Sequence, residues 1–118
     1  MRSAIINLKV KKIMSEEKEE LIGQATPEQI EIWKKKYGLV WALIVDGHIG
    51  YVRKPNRKML SYASIAGTKD PLKFNEVLLA NCWLGGSEEI KKDDDMFLSV
   101  SGKLAGLINI KEAELVNL

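Results

Sequence analysis

Asp46-Gly47 restricts what this chain can fold into more than any other feature. It stands between two apolar runs, Val40-Trp41-Ala42-Leu43-Ile44-Val45 and His48-Ile49-Gly50-Tyr51-Val52-Arg53. A central Asp-Gly pair supplies the positive φ angles of a type I′ turn, whose twist matches that of its flanking strands. The spacing predicts a hairpin in which Val45 faces His48, Leu43 faces Gly50 and Trp41 faces Val52. The pairs Ile44/Ile49 and Ala42/Tyr51 lie on the opposite face, because side chains alternate along a strand. Both faces are rather apolar, and an isolated hairpin is not stable in water. The expectation is that one face packs on helices and the other meets a partner.

The segments around the hairpin read as helices. Thr26-Pro27-Glu28-Gln29 has a capping hydroxyl, a proline at the first helical position and the Gln of a capping box. Ile30, Trp33 and Tyr37 follow at helical spacing, and Gly38 ends the run. Pro55 breaks the second strand, Asn56 caps a helix from about Arg57 to Ala66, and Gly67 stops it. Asp70-Pro71 repeats the cap-then-proline start. The helix it opens carries Leu72, Phe74, Val77, Leu78, Leu79, Cys82 and Trp83, is apolar over much of its circumference, and is expected to be the central core element, ending at Gly85-Gly86. After a polar connection from Ser87 to Lys92, Asp93-Asp94-Asp95 opens a last helix bearing Met96, Phe97, Val100, Leu104, Leu107 and Ile108. Its acids suit the positive end of the helix dipole, and the pattern extends through Leu115. The expected fold is α+β, with an N-terminal helix, one β-hairpin and a three-helix C-terminal portion packed on it. Residues 1–25 are expected to be a flexible N-terminal segment and residues 26–118 a single globular domain.

The 118 residues suffice for one modest core, and 46% hydrophobic with 29% charged residues is an ordinary globular composition. No run of 18 apolar residues is present, so no transmembrane helix is expected. The single cysteine, Cys82, fits a reducing compartment and, in its apolar surroundings, a buried inert thiol. A second methionine, Met14, precedes the acidic stretch Ser15–Glu20 and is a candidate start. A chain beginning there lacks four of the 18 basic residues and keeps all 16 acids, which turns a net charge of +2 into −2. The slight basicity of the whole is therefore no argument for nucleic-acid binding.

Chemistry-bearing motifs are sparse. One His and one Cys cannot form a His/Cys metal site of the usual kind. The Asp93–Asp95 triplet lacks the ligand spacing of a calcium loop and reads as a helix cap. Gly85-Gly86 has no following Lys-Ser/Thr and no dinucleotide context, so no cofactor is expected. His48, beside a turn with no orienting acid, is a surface or turn residue rather than a general base. The chain is read as non-enzymatic. Two features point to binding. The run Arg53-Lys54-Pro55-Asn56-Arg57-Lys58 places four cations next to Tyr51, suited to phosphates or to an acidic protein surface. Of the three tryptophans, Trp83 reads as core, and Trp41 on the two-faced hairpin is the better interface candidate, with core packing as the alternative. The expected partner-binding residues are Trp41, Tyr51, Arg53, Lys54, Arg57 and Lys58.

The succession Tyr51-Val52-Arg53-Lys54-Pro55-Asn56-Arg57-Lys58, then Gly67–Leu79, then Asn81-Cys82-Trp83-Leu84-Gly85-Gly86 resembles small proteins encoded in phage and prophage tail gene clusters: tail assembly chaperones and related families of unknown function. The similar pattern is a strand ending in a basic-proline segment, a helix, an Asp-Pro helix with Asn-Glu, a glycine loop with acids and a closing helix, over about residues 38–116. The resemblance implies a protein of the bacterial host cytoplasm that binds a tape measure or tail tube protein during virion assembly, without catalytic residues. The alternative is a small nucleic-acid-binding regulator using the basic segment 53–58.

Overall fold

The computed structural model describes residues 21–108 and 111–118. Met14 and the acidic stretch that follows it lie outside the described residues. The hairpin forms in the register that Asp46-Gly47 dictates. Strand β1 (Val40–Val45) pairs antiparallel with β2 (His48–Arg53), with Trp41 opposite Val52, Leu43 opposite Gly50 and Val45 opposite His48. Asp46 and Gly47 have φ angles of 49° and 76°, as a type I′ turn requires.

The sheet has three strands rather than two, which corrects the expected arrangement of a lone hairpin. Trp83–Gly86, expected to be the end of a helix, is strand β3, antiparallel to β2, with a bulge near Tyr51 and Val52. The physical reason lies in β2. Its outer amides and carbonyls are buried and need partners. The Ile49 carbonyl accepts from the Ser87 N–H at 2.9 Å. Gly86, which looks like a helix terminator in sequence, serves close approach instead, adopting a φ of +124° against Ile49, and Gly50 of β2 gives room to the Trp83 ring. Leu21–Ala25, grouped by sequence with the N-terminal segment, also join this edge. The Ile22 N–H donates to the Gly47 carbonyl and the Ile22 carbonyl accepts from Ile49, both at 2.9 Å.

The helix starts follow their capping residues. Helix α1 (Pro27–Tyr37) is capped by Thr26 Oγ1, which accepts from the Gln29 N–H at 3.2 Å. Asn56 Oδ1 accepts from the Met59 N–H at the start of α2 (Arg57–Ala66), and Asp70 Oδ1 from the Leu72 N–H at the start of α3 (Pro71–Cys82). The expected polar connection contains a short helix, α4 (Glu89–Lys92), that buries Ile90 completely. Asp93 Oδ2 caps α5 (Asp94–Ser101) by accepting from the Met96 N–H at 3.0 Å. The long last helix is not formed. Helix α5 stops at Gly102, a single 3₁₀ turn follows at Leu104–Leu107, and Lys111–Leu118 have no regular structure. Ser99 and Ser101 donate their hydroxyls to the carbonyls of Asp95 and Phe97, which competes with the helical ladder, and Gly102 and Gly106 weaken it further.

The sheet is covered on both faces. Leu43 and Val52 belong to the main core with Ala63, Leu78, Leu79, Cys82, Val100 and Leu104, drawn from α2, α3, α5 and the 3₁₀ turn. On the opposite face Trp33 of α1 packs on Tyr51, with ring centroids 5.3 Å apart, and Ile49 is fully buried. The Tyr51 hydroxyl accepts from the Ala25 N–H at 3.1 Å. The hairpin therefore does not leave a whole face to a partner. Only β1 keeps apolar surface, with Ile44 55% exposed.

Cys82 lies inside the core, and burial pushes its thiol up to about 11, with Arg53 acting weakly in the opposite sense. In the unfolded chain the thiol ionises near its ordinary value of about 8.5. The folded state then keeps a proton that the unfolded state has lost, so stability falls as pH rises from about 9 towards 11. Alkylation at pH 8 is expected to be at least tenfold slower in the folded protein than in denaturant, and the urea midpoint lower at pH 10 than at pH 8. Rapid labelling of the folded protein would contradict this burial.

Candidate functional site

Strand β1 is the outer strand of the sheet, and among the described residues nothing pairs with its free edge. Val40–Val45 contains no charge, no proline and no glycine. Sheet edges are ordinarily blunted by such residues, because an open row of N–H and C=O groups recruits other strands. Here the edge opens into a groove of about 440 Å³. One wall is β1 from Trp41 to Val45, and the other is Ser99 and Val100 of α5 with Lys103, Gly106 and Leu107 beyond it. The groove lies where α5 gives way to the 3₁₀ turn. The helix stops at Gly102, and a side chain at Gly106 would meet nothing within 4 Å. The lining is apolar apart from Ser99 and Lys103. Such a site selects by shape and burial, and extended segments can add main-chain hydrogen bonds to the strand edge.

The six residues expected to bind a partner do not form one site. Trp41 lines the groove and is half-buried against the core. Tyr51 is corrected: at 3% exposure it is an interior residue, held between Trp33 and the Ala25 amide, because α1 covers the face it occupies. Arg53 sits at the open end of the hairpin with its guanidinium 4.6 Å from the Tyr37 ring centre. Lys54, Arg57 and Lys58 are exposed beyond it, and the Lys58 ammonium lies 5.9 Å from the Tyr62 ring. Sequence reasoning missed Tyr37 and Lys36 as members of this patch. The Lys36 ammonium approaches the same ring at 5.3 Å. The signal was the run Lys34-Lys35-Lys36 ending α1 just before the hairpin. Lys103 and Gly106 were also missed, since nothing local marks them as neighbours of β1.

The pairing of β2 with β3 also joins two residues that lie far apart in sequence. His48 Nδ1 and Ser87 Oγ are 2.7 Å apart. Ser87 is buried and its N–H is bonded to Ile49, so the contact ties the hairpin tip to the start of α4. Among the described residues no cluster of three or more His, Cys, Asp or Glu is arranged to hold a metal ion, and no helix is long and apolar enough to cross a membrane.

Comparison with protein-family models, with curated proteins and with solved structures gives no match for this chain.

Proposed function

We propose that this protein is a non-enzymatic binding protein of the phage tail assembly chaperone kind, acting in the host cytoplasm on a tape measure or tail tube protein. The observation that supports the reading is the groove beside β1, where an uncharged strand edge and Trp41 stand open together. A chaperone for an aggregation-prone client needs an apolar strip that a client segment can cover and later leave. Strand edges and grooves suit that task, because each main-chain hydrogen bond adds only about 0.5–1.5 kcal/mol and the whole contact stays reversible.

The test is a nuclease-treated pull-down of the tagged protein from phage-producing cells, read by mass spectrometry. Recovery of a tape measure or tail tube protein is expected. Trp41→Ala is expected to weaken client binding at least tenfold, as removal of a central aromatic anchor does. Because Trp41 also packs on the core, Ile44→Lys serves as the second variant. Ile44 lines the groove but is largely exposed, so this change spares the fold. Client capture undiminished in both folded variants would remove the groove from the reading.

A second reading rests on the clustering of Lys36 and Arg53 about Tyr37 beside exposed Lys54, Arg57 and Lys58. A nucleic-acid-binding regulator would use these cations on phosphates, and its affinity would fall steeply with salt. Nucleic acid recovered only when nuclease is omitted, with no tail protein, would favour it.

A further inference from the structure

The groove beside β1 has a candidate occupant within the same sequence. Lys111–Leu118 follow soon after Leu107, which lines the groove, yet all eight residues are exposed and none enters it. Leu115 and Leu118 are fully exposed and Val116 is 64% exposed. Three large apolar residues in four positions, without packing, are unfavourable in water relative to burial. The charges also match. Among the described residues Lys103 is the one charged residue lining the groove, and the segment, with Lys111, Glu112 and Glu114, carries a net negative charge ahead of its large apolar residues. Among the described residues an unpaired strand edge, an apolar groove and a segment without regular structure and with complementary charge thus occur together, and none of the three is used.

We infer that Lys111–Leu118 of a second copy occupies this groove, laid along the free edge of β1 with its acids near Lys103 and its Leu and Val side chains against Trp41 and Leu107. In a closed pair each copy donates one segment and receives one, which satisfies two-fold symmetry and ends further addition at two chains. The exchange would also protect β1 from indiscriminate strand pairing. It does not rest on the chaperone reading. Where that reading holds, a client must displace the segment.

The experiment is sedimentation equilibrium of the full chain, of a chain lacking residues 111–118 and of Ile44→Lys, together with titration of a synthetic peptide of residues 111–118 into the truncated chain. The removed residues are all exposed, so the truncated chain is expected to keep its circular dichroism spectrum and melting temperature. The full chain is expected to form dimers, both variants to dissociate at least tenfold more readily, and the truncated chain to bind the peptide. A dimer that survives truncation would overturn the proposal by locating the interface elsewhere. A full chain that stays monomeric while the truncated chain binds the peptide would place the segment on its own groove and overturn the exchange. A monomer whose truncated form ignores the peptide would overturn the groove as its site.

Discussion

Gly86→Ala is expected to cost about 3 kcal/mol or more and to leave much of the protein unfolded at modest denaturant. Two effects act together. The φ of Gly86 is +124°, a conformation that a side chain strains. A Cβ there would also lie 2.5 Å from the Ile49 carbonyl oxygen and 2.6 Å from the Gly50 Cα. These are backbone atoms in the central strand and cannot rotate aside. Relief requires β3 to move off β2, which would break the Ser87–Ile49 hydrogen bond, the His48–Ser87 contact and the packing of Gly23 against the same spot. Domains of this size hold only about 5–15 kcal/mol in total, so the loss is a large fraction. Urea denaturation followed by tryptophan fluorescence should show the midpoint lowered by about 1 M or more. Gly106→Ala is the control, since the added methyl meets open space and the midpoint should stay within error. Equal stability of Gly86→Ala and the parent would mean that β3 does not pair with β2 as described.

Leu78→Ala should have an effect of similar size by another mechanism. Leu78 is fully buried in α3, in one cluster with Leu79, Cys82, Val52 and Leu104. Truncation removes three carbon atoms from a close-packed interior that relaxes only in part, and such changes cost about 2–5 kcal/mol. Helix α3 contributes to packing against both α2 and β2, so the cavity weakens the joint between helices and sheet. A lowered urea midpoint with unchanged groove binding under native conditions is the expected pattern. Leu98→Ala, in α5 and half exposed, should cost far less. If Leu78→Ala were as mild as Leu98→Ala, α3 would not be the core element.

Both changes show which parts of the molecule local sequence describes. Leu78 as core was legible, because a helix apolar over most of its circumference has nowhere to go but inside. The strand role of Gly86 was not. Gly85-Gly86 after a helix has the local signature of a terminator, and only the need of Ile49 for a hydrogen-bond partner makes it a strand. Tyr51 and Trp41 divide in the same way. Both lie on apolar strand faces in sequence, and which one is buried depends on where α1 docks. Trp33 settles it by packing on Tyr51. The reading of Cys82 as a buried thiol needed only its apolar neighbours, and the core encloses it.

Whatever depends on residues within about four positions was determined by the sequence itself. The Asp46-Gly47 turn imposes its hairpin register through backbone φ angles, and Thr26, Asn56, Asp70 and Asp93 start their helices by accepting nearby backbone N–H groups. The third strand, the burial of Tyr51 and the groove beside β1 were decided by the tertiary structure alone. Each depends on satisfying a polar group or filling a space with residues tens of positions away, and no local pattern records which distant partner supplies them.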